Sequence, residues 1–463
     1  MQLPPSPALQ RAMVQRATEE APRLKAYDIS IQAWAFARVG VVPGAELVDA
    51  WSARALQVMT DFHPRELSNL CWGFGEMGAI PGPELLAAVE ARAIAISREL
   101  VPQGVCNVMQ GLAKMGHTPG VELVEALSRR AVATSSEFTP QGVANLVWAL
   151  GTMKVAPGIS IANQQLEDLL HAMTTRATAT MPRFEPLGIS LLMLGFGGLK
   201  IPPAANLIAA LEKRAVATVD EFNAQMLANL LKAFARLKIS PGEALMAALS
   251  ARAVAVSGDF TPQGVATLMW AIGMCKARAT PELCHAMTAR ALATLGDFGA
   301  QDVSMLAHGL AKQGAPYDQQ LLSAASAHTI ALAPTLTPRV ITSLLGSFSA
   351  TAFTPAAATL EALTAQSLAS VPECGPAYLG MVVASIGKMG GGAGGVDAVL
   401  ERAGELEGQF TQQHAETLIA WPYRRTLGRC VFFISTPCYE EPLDGNRQGL
   451  RRPYERPAKS HFT

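Results

Sequence analysis

The sequence predicts an all-α fold: an α-solenoid, a right-handed superhelix of about ten 38-residue helical hairpins. Three observations carry this expectation. One motif recurs at a fixed period. Its clearest copy is FTPQGVANLVWALGTMKVAPG at residues 138–158. It returns at Phe62, Leu100, Phe184, Phe222, Phe260, Phe298 and Leu336, with weaker copies at Leu24, Cys374 and Phe410. Successive anchors are 38 residues apart, except for a step of 46 after Phe138 and one of 36 before Phe410. A period in this range marks stacked repeats. Each period also holds two stretches that read as helices. Finally, half of the 463 residues are hydrophobic and only 16% are charged, so a core can run the length of the chain. A solenoid grows without dividing into separate domains.

From the N-terminus, residues 1–23 read as a half repeat, with a lone second helix over 6–23. Full units follow from 24, 62, 100, 138, 184, 222, 260, 298, 336 and 374. An eleventh starts at Phe410 and is broken by Pro422, so the solenoid spans 24–421. The unit from 138 is eight residues longer. Its extra residues are expected around Ile159–Gln165, after Pro157-Gly158, where a loop insertion costs little. Gly390–Gly395 reads as a flexible break. The tail 422–463, with Pro437, Pro442, Pro453 and Pro457, lacks a helical period and reads as irregular.

Within a unit, the first helix opens on Thr-Pro, as at Thr139-Pro140 and Thr261-Pro262: a capping residue, then a residue suited to the first turn. It runs to a Gly or a basic residue about a turn beyond the Trp. A Pro-Gly-x-Glu-Leu stretch starts the second helix, as in Pro43–Leu47 and Pro119–Leu123. Its acidic residue complements the helix dipole.

Counting from the anchor as zero at 100° per residue, offsets 5, 8, 9 and 12 are apolar. They are Val143, Leu146, Val147 and Leu150 in one unit, and Val265, Leu268, Met269 and Ile272 in another. This face packs on the second helix. Offsets 6, 11 and 13 are small, as at Ala144, Ala149 and Gly151. They let neighbouring first helices lie close together and form one inner wall.

Offsets 3, 7, 10 and 14 centre opposite the core. Offset 3 is Gln103, Gln141, Gln225, Gln263 and Gln301. Offset 7 is Asn69, Asn107, Asn145, Asn229 and Thr267, with Ser343, Leu191, Met305 and Met381 elsewhere. Offset 10 is Trp34, Trp72, Trp148 and Trp270, then Lys232 and His308. Offset 14 is Arg38, Lys114, Arg236, Lys312 and Lys388, so the wall is expected to be positive. Amides can hydrogen-bond base edges, one nucleotide per repeat, or they can form a ladder that ties first helices together. The changing identity at offset 7 favours readout. The Trp rings can stack on bases or fold sideways over the small flanks. Partial burial is the expected state, since Trp is usually substantially buried. An Arg recurs in the second helices, at Arg16, Arg54, Arg92, Arg130, Arg176, Arg214, Arg252, Arg290 and Arg402, with His328 and Gln366 as exceptions. Its regularity suits a structural bond to a helix end or a carboxylate.

A 38-residue helical hairpin with Phe138, Pro140, Gln141, Ala144, Asn145 and Trp148 in the first helix resembles the octotricopeptide repeat, over about residues 6–420. Pro81, Pro83 and Glu84 fit the start of its second helix, while Leu85 stands where that family often has Trp. The resemblance implies an organellar factor, in chloroplast or mitochondrion, that binds single-stranded RNA and acts in transcript stability, processing or translation. A related group ends in a RAP domain, and none is recognised after Phe410.

Lys plus Arg and Asp plus Glu are 37 each. The tail after Pro422 has eight basic and four acidic residues, leaving 29 against 33 in the body, which argues against an indiscriminate nucleic-acid binder. The seven cysteines form no C-x-x-C pair. Cys71 and Cys106 read as core thiols. No apolar run suits a membrane span. The first twenty residues show no signal-peptide core and no convincing transit peptide, and read instead as the second half of a repeat. No P-loop, dinucleotide, zincin or nucleophile-elbow motif occurs, and the eight His residues do not cluster at metal spacing. No metal or cofactor is expected, and the chain reads as a non-enzyme. Two function classes fit: a sequence-selective RNA binder, or a protein-binding scaffold that uses the same wall.

Overall fold

The lone N-terminal helix, α1 (Pro7–Glu20), starts where Ser6 accepts a hydrogen bond from the Leu9 N–H and Pro7 takes the first position. Among the described residues nine helix pairs follow: α2 (Ala26–Val39) with α3 (Ala45–Gln57), α4 (Pro64–Met77) with α5 (Pro83–Ala95), α6 (Pro102–Lys114) with α7 (Val121–Ala133), α8 (Pro140–Thr152) with α9 (Asn163–Thr180), α10 (Pro186–Leu199) with α11 (Ala205–Ala217), α12 (Ala224–Leu237) with α13 (Glu243–Ala255), α14 (Pro262–Met274) with α15 (Pro281–Ala293), α16 (Ala300–Gln313) with α17 (Gln319–Leu332), and α18 (Pro338–Ala350) with α19 (Ala357–Ala369). This computed structural model describes residues 5–155, 161–277, 279–313, 319–351 and 353–370. The units expected from Cys374 and Phe410, the Gly390–Gly395 break and the tail lie outside them. Among the described residues there is no β-sheet, only a single bridging residue, Ile161. Each even-numbered helix packs on the even-numbered helices before and after it, and each odd-numbered helix on its odd-numbered neighbours. The chain is an α-solenoid.

Glycine sets the spacing of the first-helix wall. A Cβ on Gly111 would lie 2.2 Å from the Cys71 carbonyl oxygen, and one on Gly195 would lie 2.4 Å from the Val147 carbonyl. Neither position has room for a side chain, because backbone meets backbone there. The apolar face is buried as its period requires: Val143, Leu146, Val147 and Leu150 are all enclosed. One polar residue stands on this face, at offset 8 of its unit. Gln32 accepts a hydrogen bond at 3.1 Å from the indole Nε1 of Trp51, a fully buried ring packed against Phe36 and Phe74. A buried indole N–H needs an acceptor, and Gln32 supplies it.

The recurring arginine is a fastener. After each second helix from α1 to α17 a single 3-10 turn, such as Met59–Asp61 or Ser97–Glu99, leads the chain to the next anchor. The anchors Phe62, Phe138, Phe184, Phe222 and Phe260 are fully buried. Within each unit the Arg Nε donates to the anchor's own carbonyl: Arg54 to Leu24 (2.7 Å), Arg92 to Phe62 (2.8 Å), Arg130 to Leu100 (2.6 Å), Arg176 to Phe138 (2.7 Å), and likewise Arg214, Arg252 and Arg290. The two exceptions keep the bond: His328 Nε2 donates to Phe298 O and Gln366 Nε2 to Leu336 O. Arg16 instead pairs with Glu19 and Glu20 on its own helix.

The eight-residue insertion is not only a loop. α9 has 18 residues against 13 in α7, because the helix begins at Asn163, inside the stretch expected to be loop. Gln165 Nε2 donates to the Glu125 carbonyl on α7 at 2.6 Å, which anchors the added turn.

The first helices from α2 to α14 end in a left-handed residue. Gly40, Gly78 and Gly116 have φ of 71°, 64° and 70°; Lys154, Lys200, Lys238 and Lys276 have φ of 54°, 59°, 58° and 53°. The next N–H then reaches back to a free helix carbonyl, as from Val41 to Phe36 (2.9 Å) and from Val155 to Leu150 (3.1 Å). This conformation costs a residue with a Cβ on the order of 1–2 kcal/mol, and glycine avoids the cost. Four consecutive units nevertheless carry lysine.

Candidate nucleic-acid interface

The four outward offsets meet in one groove of about 940 Å³, lined by five successive first helices, α2 to α10. Trp34 and Arg38 come from α2, Asn69, Trp72 and Glu76 from α4, and Gln103, Asn107, Gln110 and Lys114 from α6. Gln141, Asn145 and Trp148 come from α8, and Leu187 and Leu191 from α10. The helical period alone brings these residues, up to 157 positions apart, onto one surface.

Gln103, Gln141, Gln225, Gln263 and Gln301 are exposed, while Asn69, Asn107, Asn145 and Asn229 are half-buried between helices. Among the described residues no amide ladder joins the first helices. The one hydrogen bond among these amides runs within α12, from Gln225 Nε2 to Asn229 Oδ1 at 3.1 Å. Gln103, Gln141, Asn69, Asn107 and Asn145 make no side-chain hydrogen bond to protein among the described residues. Their donors and acceptors face the groove unused. Trp72, Trp148 and Trp270 are half-buried, and Trp34 is 39% exposed. The rings fold partly over their small neighbours, and three of them still line the groove.

Two expected members need correction. Thr267 is 5% exposed and does not reach the groove. Offset 7 is at best half-open in any unit, and threonine is shorter than asparagine, so neighbouring helices cover it. Lys114 is exposed but not free: its Nζ donates to Glu76 Oε1 at 2.5 Å, across adjacent units. Glu76 occupies the same offset 14 as Lys114, so the wall is not uniformly positive. Lys388 lies outside the described residues.

The remaining cations differ along the wall. Arg38 lies over the Trp34 ring, 5.8 Å from its centroid, a cation–π contact. On α12, Lys232 and Arg236 stand one turn apart. Burial first, and Arg236 second, lower the Lys232 pKa. On α16, burial and then Lys312 lower the His308 pKa. Arg236 and Lys312 have no carboxylate partner among the described residues.

The thiols take no part. Burial pushes Cys71 and Cys106 up to about 12, and the Cys106 thiol donates to the Gly142 carbonyl at 3.2 Å. Among the described residues, no group of three His, Cys, Asp or Glu side chains is placed to hold a metal ion, and no helix is long and apolar enough to cross a membrane.

A family model described as RNA-editing substrate-binding complex 6 protein matches residues 7–157 and again residues 151–390. The chain belongs to this family. The RNA-editing substrate-binding complex 6 match covers every described helix pair and extends beyond them. No curated protein matches the chain. Among solved structures, a homology model of the full-length AP-3 complex in an intermediate open conformation aligns over 93% of this chain and 79% of its own, at 10% identity and a TM-score of 0.28. The crystal structure of the pentatricopeptide repeat protein PPR10 from maize aligns over 90% and 88%, at 12% identity and a TM-score of 0.12. Scores this low carry no argument. The fold of this RNA-editing substrate-binding complex 6 family member rests on its own helices.

Proposed function

We propose that the groove binds single-stranded RNA with sequence preference, and that the protein acts by binding rather than by catalysis, within an RNA-processing assembly of an organelle. The observation that carries this reading is the row of unpartnered Gln and Asn side chains beside half-buried Trp rings. Amides supply paired donors and acceptors for base edges, and aromatic faces supply stacking. The family's description points to RNA-editing substrates, and the octotricopeptide resemblance points to organellar transcripts.

Crosslinking the protein to RNA and sequencing the bound fragments tests the reading and yields the preferred sequence. Gln141→Ala combined with Asn145→Ala should then weaken that sequence by about 1–3 kcal/mol, the size of a good bidentate contact. Preference should change at one position while Tm holds, because both side chains face away from the core. A variant that melts early yet binds normally would return the amides to a structural role.

A protein-binding wall is the second reading. The Lys114–Glu76 pair and the apolar rung of Leu187 and Leu191 favour it. It takes over if the unmodified protein binds no RNA at low salt, where attraction to phosphate is strongest.

A further inference from the structure

Lys154, Lys200, Lys238 and Lys276 occupy one structural position in four consecutive units. Each follows the C-terminal end of a first helix, two residues beyond offset 14. Each is exposed, and none pairs with a carboxylate among the described residues. All four hold the left-handed conformation that glycine adopts at Gly40, Gly78 and Gly116. The surrounding loops bring no opposing charge of their own: residues 154–162, 200–204, 238–242 and 276–280 contain no Asp or Glu. Among the described residues the one carboxylate bonded to them, Glu212, is held by the Gly242 N–H.

Two ordinary explanations fail. A helix dipole does favour a cation near its C-terminus, and α2 and α6 meet it with Arg38 and Lys114 in the last turn. But α4 has no cation there and ends in glycine, whereas α12 has Arg236 there and still carries Lys238. Solubility asks for charge at any exposed position. It does not select lysine four times running at the one place where a Cβ is strained. Strained backbone that persists in register is grounds for a functional hypothesis.

We infer that these four lysines form a rail for the phosphate backbone of single-stranded RNA, laid along the C-terminal edge of the first helices. The inference rests on the RNA reading proposed above. Neighbouring helix axes are about 8–10 Å apart, so the row extends over roughly 25 Å beside Arg236 and Lys312. The bases would then turn toward the amides and Trp rings while the backbone follows the edge. The charge fits a polyanion and no other part of RNA.

The test is the quadruple variant Lys154→Gly, Lys200→Gly, Lys238→Gly, Lys276→Gly. Its binding to fluorescein-labelled oligouridine, longer in nucleotides than the solenoid has units, is followed by anisotropy across a salt series. Three other units already use glycine here, so the variant should fold with Tm unchanged or raised. The Lys→Asn series carries the same test with a side chain that tolerates this conformation. Affinity near physiological salt should fall on the order of tenfold or more. The slope of log K against log salt should flatten by up to about 2.8, at roughly 0.7 for each lost single-strand contact. Base preference should not move. Binding with unchanged affinity and slope overturns the rail and leaves the proposed function standing. Failure of the unmodified protein to bind any RNA overturns both. If the four changes abolish binding of polyglutamate but not of RNA, the row serves an acidic protein and the inference is overturned.

Discussion

The N-terminal units, residues 24–137, and the units that follow from 184 to 313 share a scaffold and differ in charge. Both use the second-helix fastener, Arg92 to Phe62 in one and Arg252 to Phe222 in the other. Both pack first helices through glycine, at Gly111 and at Gly195. In the first region the helices end in glycine and Glu76 neutralises Lys114. In the second, α10, α12 and α14 end in lysine, and Lys232, Arg236, His308 and Lys312 face the wall without a carboxylate partner among the described residues. Two different sets of cations can therefore be hung on one backbone, because the residues that hold the fold and the residues that face the groove occupy different offsets.

If the scaffold is shared, insults to it should cost the same in both regions. Gly111→Val and Gly195→Val should each destabilise by about 3 kcal/mol, the upper end for overpacking, read from urea unfolding. A mild effect in one region alone would mean that its wall has slack the other lacks. Next in size is the fastener. Arg92→Met and Arg252→Met each leave an anchor carbonyl unpaired, at a cost of about 1–3 kcal/mol. Arg252→Gln should cost clearly less, since Gln366 makes this bond in its own unit.

The difference in charge is sharpened by smaller changes. Glu76→Gln should release Lys114 for phosphate, tightening RNA and steepening the salt slope by about 0.7. Stability should move by no more than about 1 kcal/mol, as for a partly exposed pair. Unchanged binding would mean that the ion pair is not what separates the two regions. Lys232→Met should do the opposite, raising Tm by removing a half-buried cation next to Arg236 while weakening RNA.

The smallest effect is pH dependence. Burial and Lys312 hold the His308 pKa below 6.5. As pH falls through 6.5 the unfolded chain therefore takes up a proton that the folded chain resists, and stability falls with it. The loss levels off only when pH has passed below the folded value. His308→Gln should remove this part of the acid-side loss in thermal scans between neutral and mildly acid pH. An unaltered profile would place the charge sensitivity elsewhere.

Much of the groove was legible because the repeat states each position many times over. The wheel put Gln103, Asn107, Gln141 and Asn145 on the outward face, and the structure leaves them there with their hydrogen-bonding groups unused. Thr267 was misplaced because a wheel gives direction and not depth, and a short side chain at a half-open offset is covered by its neighbours. The cation count at offset 14 overlooked Glu76, which cancels the lysine 38 residues away. The lysine row was visible only as a helix ending in a Gly or a basic residue. Nothing in the letter K says that its backbone is left-handed.

The sequence by itself determined the period, the paired helices, the apolar face and the small flanks. Each of these is a local spacing, and 3.6 residues per turn converts spacing into geometry without knowledge of the neighbours. Only the tertiary structure decided which outward residues stay open, which charges cancel, where the recurring arginine bonds, and how lysine comes to sit where glycine is favoured. Those outcomes depend on contacts between segments 30 to 44 residues apart, such as Arg92 with Phe62 and Cys275 with Leu231, and on a backbone angle set by how each helix must end to meet the next.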